Sequence, residues 1–377
     1  MDDTPIDPLP EPPPSARTTR APASRARLWW VLVPVLVLMV IGIITASIVR
    51  APYIAYSPGS ARDADALVAV PGEKNYRDRG EVLFTTVSVV RPTYVQALWG
   101  WVRSDIDVFP EQVIQGDQSD EQIRRQNLQL MDESKLIAAK VALEKLGYEV
   151  PVKGTGALIV GVAPDLPVTN LLHTGDTVIA VDGQEVDLDR QLIAAIGSHR
   201  PGDTVRLTVE PVDASGRRRA ARTIDVPLRP RPEAQDQPML GVQIRTRDIR
   251  YEFPFTVKID SQDVGGPSAG LAWTLAVLDR LTPGSLTGGR TIAVTGEIGP
   301  AGEVKEVGGV AQKTVAAHRA EADIFIVPTG EYEEARKHAD GMRVAKVETL
   351  DQALRLLADL GGNALELGTP GADDPGA

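Results

Sequence analysis

The sequence predicts a multidomain α+β protein with one N-terminal transmembrane helix, a small, mostly β domain and a larger α+β domain. Three observations predict this architecture. Residues 28–49 contain no charged side chain. Residues 151–232 contain short β-rich runs separated by turn residues, which is typical of a small β domain. Residues 236–360 alternate helical and β-rich segments joined by short links, which is typical of an α+β domain.

Composition narrows the chemistry that the chain can perform. A net charge of -11 argues against a general nucleic-acid binder, which would carry a basic surface. The absence of cysteine excludes disulfides, thiolate metal sites and cysteine nucleophiles. Because only four histidines are present, we expect no metal site and no cofactor. Any catalysis must then come from hydroxyl, amine or carboxylate groups.

The N-terminal region has the pattern of a membrane anchor. Residues 1–27 are rich in proline and arginine and predict a disordered tail. The 22 residues that follow, 28–49, reach about 30 Å as a helix and can span a bilayer. Arginines before the span and Trp29 and Trp30 at its edge predict a cytoplasmic N-terminus and an extracytoplasmic body. The alternative is a cleaved signal peptide, with small residues at Thr45-Ala46-Ser47, but the apolar run is longer than a usual signal core.

Residues 50–150 form an N-terminal extracytoplasmic part. Valine and threonine alternate from Glu81 to Val90 and predict a strand. Apolar residues recur at helical spacing from Asp120 to Leu146 and predict a helix. Trp99 and Trp101 lie in an apolar segment that we expect to join the core, with contact to the bilayer surface as the alternative.

The β-rich segment at 151–232 contains a recognisable motif. Residues 171–186 read LLHTGDTVIAVDGQEV, which resembles the Gly-Asp core, strand and Asp-Gly turn of a PDZ domain. This resemblance implies that the loop before the first strand binds the terminal carboxylate of a peptide, which adds a strand at the sheet edge. The expected peptide-binding residues are Gly156, Ala157, Leu158 and Ile159. A β domain that only spaces its neighbours is the alternative.

A second motif lies at residues 265–270, which read GGPSAG and precede an apolar helix. Glycines allow a tight turn and close approach of a ligand to the backbone. A serine at the mouth of a helix has free N–H groups nearby, and these are suited to stabilise an oxyanion. A glycine-rich turn whose serine caps the helix is the alternative for this motif taken alone.

The rest of the segment resembles the proteolytic domain of the Lon family of serine proteases. The matching pieces, in order, are residues 266–270, 295–297, 302–304, 307–310, Lys313, 316–317 and 327–328. The resemblance implies that Ser268 is the nucleophile and Lys313 the general base, and that Thr295 holds the lysine. Gly266 and Pro267 would support the serine loop. Burial of Lys313 among valines and alanines would lower its pKa and make it an effective base.

The resemblance also concerns the architecture. Residues 131–146 resemble a helix that precedes the serine loop in Lon domains. The Lon-type domain would then begin near residue 80, with the PDZ-like domain inserted in it. Bacterial chains that join an anchor, a PDZ domain and a Lon domain form a known family, which this chain resembles. Lon domains commonly assemble as rings, so the resemblance implies a homo-oligomer.

Two departures from the Lon pattern are visible. Lon proteases commonly carry aspartate at the position of Gly265. The sequence also contains no phosphate-binding Gly-x-x-x-x-Gly-Lys-Ser/Thr loop. We therefore expect no use of ATP and a preference for flexible or unfolded polypeptides.

The sequence thus predicts a serine endopeptidase of the bacterial cell membrane with a Ser-Lys dyad. A triad of Ser268, His318 and Asp323 is the catalytic alternative, but His318 is five residues from Lys313 and points to another face of the helix. Two other functions remain open. One is a non-catalytic PDZ scaffold, and the other is a dedicated signalling or autoprocessing protease with one membrane partner.

Overall fold

The structure is a computed structural model that describes residues 25–76, 79–164, 166–213 and 215–367. The helices are α1 (Arg25–Ile48), α2 (Tyr94–Gly100), α3 (Glu111–Gln115), α4 (Asp120–Lys145), α5 (Asp189–Gly197), α6 (Gly270–Leu281), α7 (Val310–Arg319), α8 (Tyr332–Lys337) and α9 (Leu350–Asp359). Short 3₁₀ helices lie at Asp65–Leu67, Pro167–Asn170 and Thr329–Glu331.

The first half of the chain contains the strands β1 (Tyr53–Asp63), β2 (Val68–Ala69), β3 (Glu81–Val90), β4 (Asp107–Pro110), β5 (Val152–Lys153), β6 (Ala157–Val162), β7 (Thr177–Val181) and β8 (Gln184–Glu185). The second half contains β9 (Thr204–Glu210), β10 (Arg222–Pro227), β11 (Arg229–Arg231), β12 (Ala234–Met239), β13 (Val242–Thr246), β14 (Arg250–Tyr251), β15 (Lys258–Ile259), β16 (Thr291–Val294), β17 (Glu297–Ile298), β18 (Val304–Lys305), β19 (Ile324–Pro328) and β20 (Arg343–Val347).

The chain divides into two compact units. The first comprises the described residues up to Ala55 together with 89–116, and the second comprises 56–88 and 117 onward. In the first unit, residues 29–48 of α1 form a helix long and apolar enough to cross a membrane. Length and composition alone support this, and a signal sequence passes the same test. The expectation that Trp99 and Trp101 join the core is wrong, because they are 63% and 58% exposed.

The second unit is built on a sheet with the strand order β20-β19-β16-β3-β1. β16 runs parallel to both β3 and β19, and β19 runs parallel to β20. All twelve residues of α6 are buried, so this helix is the centre of the core. Trp273 of α6 packs on Phe84 of β3 with a ring-centroid distance of 4.7 Å. α4 packs along α6 and begins at a capping box in which Ser119 and Gln122 exchange hydrogen bonds.

A β domain is inserted into this core between α4 and β15. Its sheet has the order β10-β9-β7-β6-β13 and encloses a separate apolar core. The domain extends beyond the predicted end at residue 232, because β13 pairs with β6 and Ile244 packs against the same core. β5 and β14 pair at the base of the insertion, with Lys153 opposite Arg250. The larger apolar core contains residues from both sides of the insertion, such as Val70 before it and Trp273 after it.

The predicted disordered tails at 1–27 and 361–377 fall mostly outside the described residues. The described part of the C-terminal segment, residues 361–367, is packed and not disordered. Ala364 is 1% exposed and joins the larger apolar core of the second unit. The Asn363 N–H also donates to the Ser285 carbonyl over 2.9 Å. The ordered domain therefore ends later than the glycine-rich composition suggested.

Candidate active site and peptide groove

Two hydrogen bonds connect the serine loop, residues 265–270, to α4. The Gly266 N–H donates to the Asn127 carbonyl over 2.8 Å, and Ser134 Oγ donates to the Pro267 carbonyl over 3.1 Å. Gly266 has a φ of 89°, a conformation that favours glycine. These contacts leave Ser268 only partly exposed at the entrance of α6.

The same packing explains why Gly265 departs from the Lon pattern. A Cβ atom at this position would lie 2.9 Å from Asn127 Cβ and 3.2 Å from its backbone carbon. Contacts this short require one of the two segments to move. In this chain α4 therefore occupies the space that a side chain at position 265 would need.

Lys313 lies on α7, which places its amine inside the domain. The α7 helix begins after Gly309, whose φ of 70° is left-handed and whose Cβ position would be 2.7 Å from Val87 Cγ2. The Lys313 side chain is 2% exposed. Burial lowers the pKa of Lys313 to about 8, and the nearby Glu331 carboxylate opposes this by raising it. A lysine with this pKa is partly neutral near physiological pH and can accept a proton.

Thr295 links the lysine to the serine loop. Lys313 Nζ donates to Thr295 Oγ1 over 3.2 Å, and Thr295 Oγ1 donates to the Ser268 carbonyl over 3.3 Å. The Gly296 N–H donates to the same carbonyl over 3.0 Å. The described residues contain no direct hydrogen bond between Ser268 Oγ and Lys313 Nζ. Catalytic contacts of this kind are often long in structures without substrate.

Glu331 is a site residue that the sequence analysis missed. It lies in the 3₁₀ helix after β19, and one of its oxygens, Oε1, accepts the Val307 N–H over 2.9 Å. The other oxygen, Oε2, is buried and accepts no hydrogen bond. Burial raises the pKa of Glu331, whereas Val307 and Lys313 lower it. No local motif signals this residue, because it approaches Lys313 from a different strand connection.

The start of α6 offers a site for negative charge. The N–H groups of Ser268 and Ala269 find no acceptor among the described residues, while the Gly270 N–H is used by the Pro267 carbonyl. Free N–H groups at a helix entrance, aided by the helix dipole, stabilise an oxyanion. The alternative triad is not supported, because His318 makes no hydrogen bond with Ser268 or Asp323 among the described residues, and Asp323 Oδ2 instead accepts the Thr291 N–H over 2.9 Å.

The predicted peptide-binding residues do not have a free edge. β6 lies between β13 and β7 in the sheet, so Ala157 and Leu158 are paired on both sides. The Gly156 N–H donates to the Asp187 carbonyl and the Ile159 N–H to the Asp176 carbonyl. These N–H groups are therefore unavailable to a carboxylate, and the assignment of the peptide site to this loop is corrected.

The free edge of the sheet lies at β13, beside α5. Within the described residues, no strand pairs with the outer side of β13. A groove of about 940 Å³ runs between β13 and α5 and is lined by Leu192, Ile193, Ile196, Leu240, Val242 and Ile244. The turn at Leu240-Gly241, where Gly241 has a φ of 82°, closes one end. Its N–H groups have no acceptor in the described part of the chain, which suits a carboxylate.

Comparisons with known proteins identify two domains. Residues 260–358 match the model of the Lon protease (S16) C-terminal proteolytic domain, and residues 142–215 match the PDZ domain model. Lon protease 2 of Bacillus subtilis is 32% identical over 115 residues, which are 30% of this chain and 20% of the relative. Lon protease of Clostridioides difficile is 40% identical over 84 residues, or 22% of this chain and 10% of the relative.

The relatives are much longer than the matched region. The chain spans a fifth or less of the length of these two Lon proteases. Among solved structures, the PDZ domain of the SdrC-like protein from Listeria monocytogenes is 24% identical, with a TM-score of 0.21. That match covers 24% of this chain and 87% of the other.

Proposed function

Because the chain carries a Lon-type proteolytic domain and a PDZ domain, we propose that it is a membrane-anchored, ATP-independent serine endopeptidase. Its substrates are unfolded or flexible polypeptides. Ser268 is the nucleophile and Lys313 the general base. The observation that carries the proposal is the buried amine of Lys313, which Thr295 connects to the Ser268 backbone.

The first step forms an acyl-enzyme. Neutral Lys313 accepts the proton of the Ser268 hydroxyl as Oγ attacks the substrate carbonyl carbon. The N–H groups of Ser268 and Ala269 bind the resulting oxyanion. Collapse of the tetrahedral intermediate breaks the peptide C–N bond, and Lys313 returns the proton to the leaving amine.

The second step releases the acyl group. Lys313, neutral again, accepts a proton from a water molecule that attacks the Ser268 ester. The oxyanion forms in the same place, and the proton passes to Ser268 Oγ as the ester bond breaks. Thr295 acts throughout as a positioning residue, since its hydroxyl fixes the lysine amine relative to the serine loop.

The groove beside β13 selects polypeptides in this proposal. An extended peptide adds to the free edge of β13, and its apolar side chains enter the space beside α5. The N–H groups at Leu240-Gly241 then take a terminal carboxylate. This binding concentrates substrate, or regulates access, near the protease core into which the β domain is inserted.

The proposal also includes a membrane anchor and cleavage without ATP. The apolar helix at residues 29–48 supports a single-pass anchor, with the basic N-terminal tail in the cytoplasm. The sequence has no phosphate-binding loop, which supports cleavage without ATP. Assembly as a ring stays a prediction from the resemblance to Lon domains.

The test uses the full chain in lipid nanodiscs, without nucleotide, and casein as the unfolded substrate. We expect cleavage by the wild type and loss of cleavage in Ser268→Ala and Lys313→Ala. Ser198→Ala and Lys305→Ala are matched controls, because each removes the same group from a site exposed to solvent. Thr295→Val should reduce the rate more than Thr295→Ser, which keeps the hydroxyl.

The outcomes separate the possible functions. Cleavage that persists in Ser268→Ala would refute the dyad. Peptide binding without any cleavage by the wild type would favour a non-catalytic scaffold. Cleavage of the chain itself, with casein left intact, would favour a dedicated autoprocessing protease.

A further inference from the structure

The α2 helix in the first unit has an unusual distribution of side chains. Its buried residues are the small ones, Ala97 and Gly100. Its large apolar residues are exposed, namely Tyr94, Val95, Leu98 and Trp99. Trp101 and Val102, directly after the helix, are exposed as well. A helix facing water normally shows the reverse arrangement.

Exposed apolar side chains are concentrated in this part of the described chain. Beyond α1, seventeen large apolar residues are exposed among the described residues, and eleven of them lie between Val89 and Ile114. Scattered exposed apolar residues are normal in soluble proteins, but clusters of them mark contact surfaces. The segment around α2 therefore has the character of a contact surface.

Charge is absent from the same stretch. Residues 92–102 contain no acidic or basic side chain. The arginines at its two ends are paired, Arg91 with Glu111 at 2.7 Å and Arg103 with Asp105 at 2.6 Å. The exposed part of α2 thus presents tyrosine, tryptophan and aliphatic groups without charges. Tryptophan and tyrosine are the residues enriched where bilayer and water meet.

The position of α2 identifies the partner. Arg50, two residues after the end of α1, forms a β-bridge with Thr93, the residue that caps α2. The Ala51 N–H also donates to the Pro92 carbonyl over 2.9 Å. The start of α2 is thereby fixed next to the end of the apolar helix α1. If α1 crosses a bilayer, this point lies at its surface.

We propose that α2 and the adjoining Trp101-Val102 segment lie in the interface of the same bilayer that α1 crosses. The inference rests on the membrane anchor of the proposed function. Bilayer contact removes the exposed apolar groups from water and keeps the indole N–H and tyrosine hydroxyl near the headgroups. The membrane then holds the first unit at two places, which restricts its rotation about α1.

The natural absence of cysteine provides a direct test. Single cysteines at Leu98 and Val102 are labelled with a nitroxide in the full chain, which is placed in nanodiscs of phosphatidylcholine and phosphatidylglycerol. Leu38→Cys in α1 is the reference for lipid, and Ile249→Cys, an exposed apolar residue of the second unit, is the reference for water. Collision rates with oxygen and with a water-soluble nickel chelate are measured by electron paramagnetic resonance.

Labels in lipid collide often with oxygen and rarely with nickel. We expect an oxygen-to-nickel ratio at positions 98 and 102 severalfold above that at 249. Frequent nickel collisions at 98 and 102, with position 38 shielded, would overturn this inference and leave the anchor intact. Low rates for both reagents would show a protein partner and would also overturn it. Frequent nickel collisions at position 38 would overturn the anchor and, with it, the inference.

Discussion

The buried Lys313 makes the pH dependence of cleavage the sharpest test of the proposed mechanism. Burial brings its pKa to about 8, so roughly a tenth of the amine is neutral at pH 7, against less than about 0.1% at the ordinary value. The lowering of the pKa corresponds to a destabilisation of the charged ammonium group by about 3 kcal/mol. The kcat/KM for an unfolded substrate should rise about tenfold per pH unit below pH 8 and then level off.

A substitution of Glu331 tests this prediction. Its carboxylate raises the pKa of Lys313, so Glu331→Gln should lower that pKa and move the acid limb of the profile to lower pH. Glutamine keeps an oxygen that can accept the Val307 N–H, so the local hydrogen bond survives. The measurement is kcat/KM from pH 5.5 to 9.5 with a quenched fluorescent peptide derived from casein.

Glu333→Gln is the matched control. Glu333 is two residues from Glu331, and its side chain is exposed, so the substitution removes the same charge from a position in solvent. Its profile should coincide with that of the wild type. A limb that moves to higher pH in Glu331→Gln, or equally in both variants, would refute the assignment of the limb to Lys313. A wild-type limb above pH 9.5 would refute the role of burial.

Three further predictions concern other parts of the second unit. Gly265→Asp should lower the melting temperature by the equivalent of about 1–3 kcal/mol and reduce cleavage, since its Cβ would collide with Asn127; an unchanged melting curve would contradict this. Ile193→Arg should weaken peptide binding in a fluorescence anisotropy titration, whereas Val160→Arg, equally apolar but outside the groove, should not. Burial, together with the neighbouring Asp279, raises the pKa of Asp65 to about 8. Protonated Asp65 therefore stabilises the folded state, and this contribution to the free energy of unfolding is complete below pH 4 and is lost as pH rises through 8. Asp65→Asn should therefore flatten the fall in urea-unfolding stability between pH 5 and 9, and an unchanged slope would count against it.

Local patterns predicted many elements because their signals are local. The strand Glu81–Val90 has the predicted bounds, since the alternation of valine and threonine defines it. The helix predicted from Asp120 to Leu146 ends one residue earlier, at Lys145.

Features that depend on distant segments could not be predicted in the same way. The peptide groove depends on which strand occupies the edge of the sheet, and β13 reaches that edge from beyond the predicted boundary of the domain. Glu331 acts on Lys313 across a strand connection, so no spacing reveals it. The exposure of Trp99 and Trp101 could not be predicted either, because an apolar segment does not by itself show which of its side chains are buried.

The pairing of β5 with β14 brings the two ends of the inserted β domain together. The chain leaves the protease core and returns to it at neighbouring residues, Lys153 and Arg250. A short turn could join these two points without disturbing the surrounding fold. The order of the elements in the protease core therefore does not depend on the β domain, and a different recognition domain with equally close ends could be joined at the same place.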